Sequence, residues 1–234
     1  AGSTVREVLE KQPVKNRLYP LGALYQNHLA DLEYRLDHDC SLRILTFRDR
    51  EGFAIYRRSA TMILIEAVRR LHPSRSLIIG QSLADGYYFD LGLDRKPEQA
   101  EIDEIKKMME TIVTEDIPFG KLALAYRAAK DYFARIGADD KVKLLDYLRS
   151  PEILLSTCGE TREFYTGPLA LSTGQIEIFG LFPYGDGFIL RFPDWGEAGQ
   201  LPPIRSEKKL YSIFRESRSW NRVLAVENVG QLNE

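Results

Sequence analysis

The chain has 234 residues, 44% hydrophobic and 28% charged, the balance of a soluble globular protein long enough for one large folded unit or two unequal ones. A formal net charge of −2 gives no global pull toward nucleic acid or an anionic membrane. Its two cysteines, Cys40 and Cys158, stand far apart in no metal spacing, no apolar run approaches the ~20 residues a membrane helix needs, and the amino end lacks a signal-peptide pattern. Reduced thiols, a cytoplasmic location and no membrane partner are therefore expected.

Val5 and Leu9 stand four apart, which predicts a short helix over Ser3 to Lys11 capped by Ser3 or Thr4. Leu21 to Tyr25 reads as a strand that turns at Gln26 to His28, returns through Leu29 to Leu32, and is followed by a strand over Ser41 to Phe47 and a polar turn over Arg48 to Gly52. A helix then carries Ala60, Ile63, Leu64, Ala67, Val68 and Leu71 at helical spacing, with Ser59 as its cap. Met62 and Ile65 widen the stripe, so this helix should be largely buried, with Glu66, Arg69 and Arg70 at its wet edge.

A strand at Leu77 to Ile79 precedes Ala84 to Asp90, and a long amphipathic helix starts near Arg95, with Pro97 in its first turn and Ile102, Ile105, Met109, Ile112 and Val113 on one side. Two more helices are predicted, from Leu122 to Ile136 and from Asp139 to Leu148, the first stopped by Gly137. Strands follow over Glu152 to Ser156, Glu163 to Tyr165, Ile176 to Leu181 and Gly187 to Phe192, and a last helix opened by Ser206 leads to Trp220 and a linker-like tail.

Four motifs carry a family resemblance. Arg58 to Leu64 and Asp85 to Asp90 fall into the frame of the His-Ser-x-x-His-Leu-Leu helix start and the Asp-Gly-Phe-Tyr-Tyr-Asp strand of the threonyl-tRNA synthetase editing domain, which hydrolyses seryl-tRNA made in error. Tyr165 to Leu169 resembles that family's Cys-x-Gly-x-His, and Ser172 to Ile176 its Ser-Thr-Gly-Lys-Ile. Neutral imidazoles at i and i+4 share one helix face, where they can hold a metal or orient a water. Here the four polar editing positions are Arg58, Met62, Tyr165 and Leu169: a permanent cation, a soft thioether, a phenol and an alkyl chain.

The resemblance implies an α+β fold: a small ubiquitin-like β-grasp (TGS) unit over residues 1–53, short of its usual first strand, and an editing-domain-like α+β unit over 54–205. Residues 206–234 would form a helix and linker toward an absent domain. The phrasing from Leu45 to Phe53, from Ile55 to Ser59 and from Gly86 to Tyr88 resembles the amino-terminal region of bacterial uridine-kinase-like nucleoside kinases more closely than a synthetase. That resemblance implies a non-catalytic module that senses or positions a ligand beside a downstream P-loop kinase domain. No Gly-x-x-x-x-Gly-Lys-Ser/Thr loop occurs in the chain, so ATP and Mg²⁺ are expected only for that absent domain and no cofactor or metal for this one.

The candidate pocket comprises Arg58, Met62, Asp85, Tyr87, Tyr165, Thr166 and Leu169, with no catalytic residue assigned. Arg58 beside Tyr165 suits an anion such as phosphate or carboxylate; alternatively it fills the vacated space and pairs with a carboxylate. A nucleotide, an amino acid or the 3′ end of a tRNA is the candidate ligand, and a second copy of the chain a candidate partner. Gly86 is expected to provide a turn, and Tyr87 and Tyr88 to pack with hydroxyls at an edge.

The rival reading is an aminoacyl-tRNA trans-editing hydrolase with a rearranged site, Asp85, Tyr165 and Glu160 around a water. His28, His38 and His72 have no histidine partner at ligand spacing and read as surface residues. Cys158 beside Glu160 reads as a structural thiol. Arg57, Arg58, Arg69, Arg70 and Arg75 form the densest basic region, either an RNA-phosphate contact or a helix face balanced by acids.

Overall fold

A computed structural model describes residues 2–11, 19–73, 75, 77–83, 86–93, 95–148, 150–193 and 200–202. Asp85 and the helix expected from Ser206 onward lie outside the described residues. The fold is α+β with antiparallel sheets.

The first unit is a short helix, α1 (Val5–Lys11), on a three-stranded sheet of order β2-β1-β3: β1 (Pro20–Tyr25), β2 (His28–Ala30) and β3 (Leu42–Thr46). Thr4 caps α1 reciprocally, its hydroxyl accepting from Glu7 N while the Glu7 carboxylate accepts from Thr4 N, both at 3.2 Å. The β1–β2 hairpin turns on Gln26 and Asn27 at φ 47° and 64°, the left-handed pair a two-residue turn demands. Val5, Ala23, Tyr25, Leu32 and Leu36 close a small core.

Helix α2 (Arg50–Leu71) is longer than its sequence suggests and begins nine residues before Ser59. The expected polar turn through Gly52 is already helical, because Asp49 holds the end of β3: its carboxylate accepts from Thr46 N at 2.8 Å and from Arg43 at 2.9 Å. Gly52 is required there, since a Cβ would lie 2.0 Å from Thr46 O.

The largest core forms where α2 and α3 (Gln99–Glu115) pack on a four-stranded sheet of order β4-β5-β10-β9. Its strands are β4 (Ile78–Leu83), β5 (Gly86–Asp90), β9 (Gly180–Tyr184) and β10 (Gly187–Arg191). Ile63, Leu64 and Val68 of α2 and Ile102, Ile105, Met109 and Ile112 of α3 meet Phe89, Phe188 and Leu190 of the sheet. Each such side chain removed from water contributes about 1.5–3 kcal/mol.

Pro97 precedes α3 rather than entering its first turn; Glu101 reaches back to Glu98 N at 3.0 Å, and Asp116 ends the helix at φ 49°. Gly86 opens a strand instead of forming a turn. A Cβ there would meet Leu190 O at 2.4 Å, so close strand packing requires the glycine.

Helix was expected from Leu122, but β6 (Gly120–Ala125) occupies that stretch and α4 (Tyr126–Arg135) starts only after it. The alternation of Leu122 and Leu124 with small residues serves a ladder to β7 (Glu152–Cys158), with Leu122 opposite Leu155 and Leu124 opposite Ile153. β8 (Thr161–Phe164) completes that sheet, and α4 and α5 (Asp139–Tyr147) cover it through Ala129, Phe133 and Leu145. The strand expected over Ile176 to Leu181 begins only at Gly180, because Thr173–Gln175 form a 3-10 turn tied to α3.

Candidate functional site

Ser59, expected as a cap, sits in the middle of α2 and is fully buried. Its hydroxyl donates to Ile55 O and accepts from Ala170 N, each at 2.9 Å. One residue earlier, Arg58 Nε donates to Pro168 O at 3.0 Å. These two bonds fix the segment after β8 against the helix across more than a hundred residues of sequence. Gly167 adopts φ +139°, a conformation favouring glycine, and a Cβ there would lie 3.2 Å from Arg58 Cζ.

The segment continues into the Ser172 to Ile176 motif, whose role is structural. Thr173 Oγ1 donates to Ile112 O at 2.7 Å and accepts from Ile117 N at 2.8 Å, while Asp116 accepts from Gly174 N at 3.1 Å. Gln175 accepts from Leu171 N at 2.9 Å and reaches Pro20 O of the small sheet at 3.4 Å. The motif clamps the end of α3, the site segment and the small unit together.

Arg58 lies close enough to Tyr87 and Tyr165 for both phenols to act on its guanidinium. Burial lowers the Arg58 guanidinium pKa, the Tyr165 and Tyr87 phenols push it back up, and neighbouring Arg57 adds to the lowering. It remains a cation at any working pH. Among the described residues its partner is the Pro168 carbonyl and not the carboxylate one reading anticipated, and Nη2 is buried without a hydrogen-bond partner. Met62 is buried at 4% exposure, Thr166 is exposed, and Leu169 is half-buried.

A cavity of about 370 Å³ opens between the small unit and the β6-β7-β8 sheet, and Tyr165 and Leu169 line it. Asp31, Glu33 and Arg35 face it from the small unit, and Phe119, Lys121 and Ser156 from the sheet. Lys121 pairs with Asp31 and stands 5.0 Å from the Tyr165 ring centroid. Burial acts to lower the Lys121 ammonium, but the Asp31 carboxylate and the Tyr165 phenol outweigh it and leave its pKa above the ordinary lysine value. No local pattern marks Asp31 or Lys121; they meet only because the two units do.

The rearranged trio of Asp85, Tyr165 and Glu160 does not assemble around Glu160. That residue is exposed at the turn between β7 and β8, at the far end of β8 from Tyr165, on the order of 15 Å away at strand rise. Cys158 is fully buried, and burial, with Glu66 nearby, pushes its thiol up to about 12, so the structural reading of this cysteine stands on its surroundings.

Glu66 was expected at the wet edge of α2 but is 2% exposed. It accepts from Thr161 Oγ1 at 2.6 Å and from Arg70 Nε at 2.8 Å, and Arg70 in turn holds Glu115. Arg69 bonds Tyr132 at 2.6 Å and Arg75 pairs with Glu101 at 3.4 Å. Much of the dense basic region is thus balanced by acids or phenols. Arg57 and Arg58 form no ion pair with the described residues.

Three of the proteins similar to this chain are threonine–tRNA ligases. Those of Symbiobacterium thermophilum and Desulforamulus reducens are each 34% identical, over 181 and 183 residues, covering 77% of this chain and 28% of theirs. Threonine–tRNA ligase 2 of Bacillus subtilis is 32% identical over 154 residues, 65% of this chain and 24% of its own. No protein-family model matches. These relatives lend no support to a uridine-kinase-like parent. A match of 181 residues necessarily contains the segment from Arg58 to Ala170, so the stretch that builds the site lies within the region homologous to about a quarter of a threonine–tRNA ligase.

Proposed function

We propose that this chain is a tRNA-directed module of the editing-domain type that binds the aminoacylated 3′ end without hydrolysing it. Homology to threonine–tRNA ligases supports the tRNA-directed part. The observation that carries the non-hydrolytic part is Arg58, a half-buried cation hydrogen-bonded to Pro168 O where the resembled motif has an imidazole. A guanidinium has no lone pair with which to accept a proton from water, and the thioether of Met62 is too weak a base to replace it. What remains is a donor-rich wall suited to grip an anion or a carbonyl.

Filter binding and release of labelled amino acid from seryl- and threonyl-tRNA test this reading together. Retention of the tRNA with amino-acid release no faster than in buffer is expected. Failure to retain either charged or uncharged tRNA refutes the tRNA-directed assignment.

A second reading, aminoacyl-tRNA hydrolysis by a rearranged site, draws on the same homology and on the cavity at Tyr165. There Asp31 pairs with Lys121, whose ammonium lies against the Tyr165 ring. Its ion pair with Lys121 occupies the carboxylate oxygen that a general base needs free for water. Release of amino acid that disappears in Asp31→Asn would establish this reading over the first. The expected kinase neighbour, with its ATP and Mg²⁺, has no support among the relatives and does not enter the proposal.

A further inference from the structure

We propose that Arg57 and Arg58 together form a binding site for a phosphate group, on the wall of α2 that faces Tyr87 and Tyr165. The inference deepens the proposed function and rests on it only for the identity of the molecule that carries the phosphate.

Arg57 Nε and Arg58 Nη2 are buried and have no hydrogen-bond partner among the described residues. A buried N–H of a charged group left without an acceptor is costly, and adjacent residues carrying one each is an arrangement a folded protein keeps for a ligand or a bound ion. Other arginines of the same helix do not share it: Arg69 has Tyr132 and Glu163, and Arg70 has Glu66 and Glu115.

Both guanidiniums are held in place by neutral contacts. Arg57 stacks 4.9 Å from the Phe53 ring centroid and 5.3 Å from that of Tyr87. Arg58 is pinned through Nε by Pro168 O, with Gly167 close against its Cζ. Aromatic faces and a carbonyl orient the forks without neutralising them. Tyr87 lies beside both cations, so the two positive charges act on a shared volume. Two fixed cations without a carboxylate among the described residues suit one phosphate group, whose tetrahedral oxygens can meet both guanidinium forks at once where the two oxygens of a carboxylate fill one.

Inorganic phosphate is the probe, added to the whole chain at constant ionic strength with chloride as the balancing anion and acetate as the carboxylate arm. Melting temperature and the ¹⁵N-detected Nε–Hε resonances of the arginines are read together. Phosphate should raise the melting temperature saturably and shift Arg57 and Arg58, with acetate doing neither. Arg57→Gln and Arg58→Gln should each weaken phosphate binding about tenfold, the loss expected for one charge-assisted contact. Arg58→Lys keeps the charge and guards against a folding artefact; it should weaken binding less than Arg58→Gln.

Equal stabilisation by acetate, or unchanged phosphate binding in both glutamine variants, overturns the proposal. Phosphate binding that depends on the arginines in a protein that ignores tRNA keeps this site and removes the tRNA reading. Conversely, tRNA binding that is indifferent to both glutamine variants and to added phosphate keeps the tRNA reading and removes this site.

Discussion

Replacing Ser59 by alanine isolates the bond that holds the site segment to the central helix. The Ser59 hydroxyl is fully buried and accepts from Ala170 N at 2.9 Å, so its removal leaves that buried N–H without a partner. Orphaning such a group costs about 1–3 kcal/mol. Alanine returns about 0.5 kcal/mol through its better helix propensity. The net expectation is a loss of about 0.5–2.5 kcal/mol, roughly a two- to seventyfold change in the folding equilibrium. Thr61 provides the internal control, because its hydroxyl makes the same bond to the carbonyl four residues back, to Arg57 O at 2.9 Å, and receives none from the site segment. Thr61→Ala should therefore stay within about 0.5 kcal/mol of the parent. Urea unfolding followed by far-ultraviolet circular dichroism measures both variants by linear extrapolation. If Ser59→Ala loses no more than Thr61→Ala, the Ala170 bond does not anchor the segment and the account of the site's geometry is wrong.

Gly167→Ala should destabilise by about 1 kcal/mol or more, since φ +139° disfavours a side chain, and should weaken phosphate binding by displacing Arg58; a melting curve and a phosphate titration check both effects. Cys158, whose thiol is pushed from 9.0 up to about 12 by burial, stays protonated in the folded chain while the unfolded chain ionises. Stability should therefore fall as pH rises from 9 toward 12, and Cys158→Ala should flatten that limb; in the folded protein at pH 8, iodoacetamide should leave Cys158 unmodified by mass spectrometry. Glu101 is held down to about 2 by Arg95 and by Glu98 N, so it binds a proton in the unfolded chain before it does in the folded one. Its contribution is present above pH 4.5 and lost as pH falls toward 2, and Glu101→Gln should reduce the acid slope of the urea midpoint.

What the sequence by itself determined is local. The helical period of Ile63, Leu64, Ala67 and Val68 specified the buried face of α2, and that of Ile102, Ile105, Met109 and Ile112 that of α3. Asn27 marked the hairpin, and Ser3 and Thr4 the start of α1, between which the structure chose Thr4 as the cap. That Arg58 and Met62 offer no base was legible from residue identity alone, because basicity belongs to the side chain and not to its neighbours.

The tertiary structure decided the rest wherever the partner is distant in sequence. Leu122 to Ala125 has an apolar pattern short enough to suit helix or strand, and pairing with Leu155 and Ile153 selected the strand. Ser59 looked like a cap because a hydroxyl before an apolar run usually is one; Asp49 and Thr46 had already started the helix, and Ala170 claimed the hydroxyl. Glu66 became buried because Thr161, 95 residues away, supplies its acceptor oxygen with a proton. Arg58 found Pro168 at a separation of 110, and Lys121 found Asp31 across the cavity. Periodicity is written in neighbouring residues, whereas the choice of hydrogen-bond partner is made by whichever donors and acceptors the folded core leaves in reach.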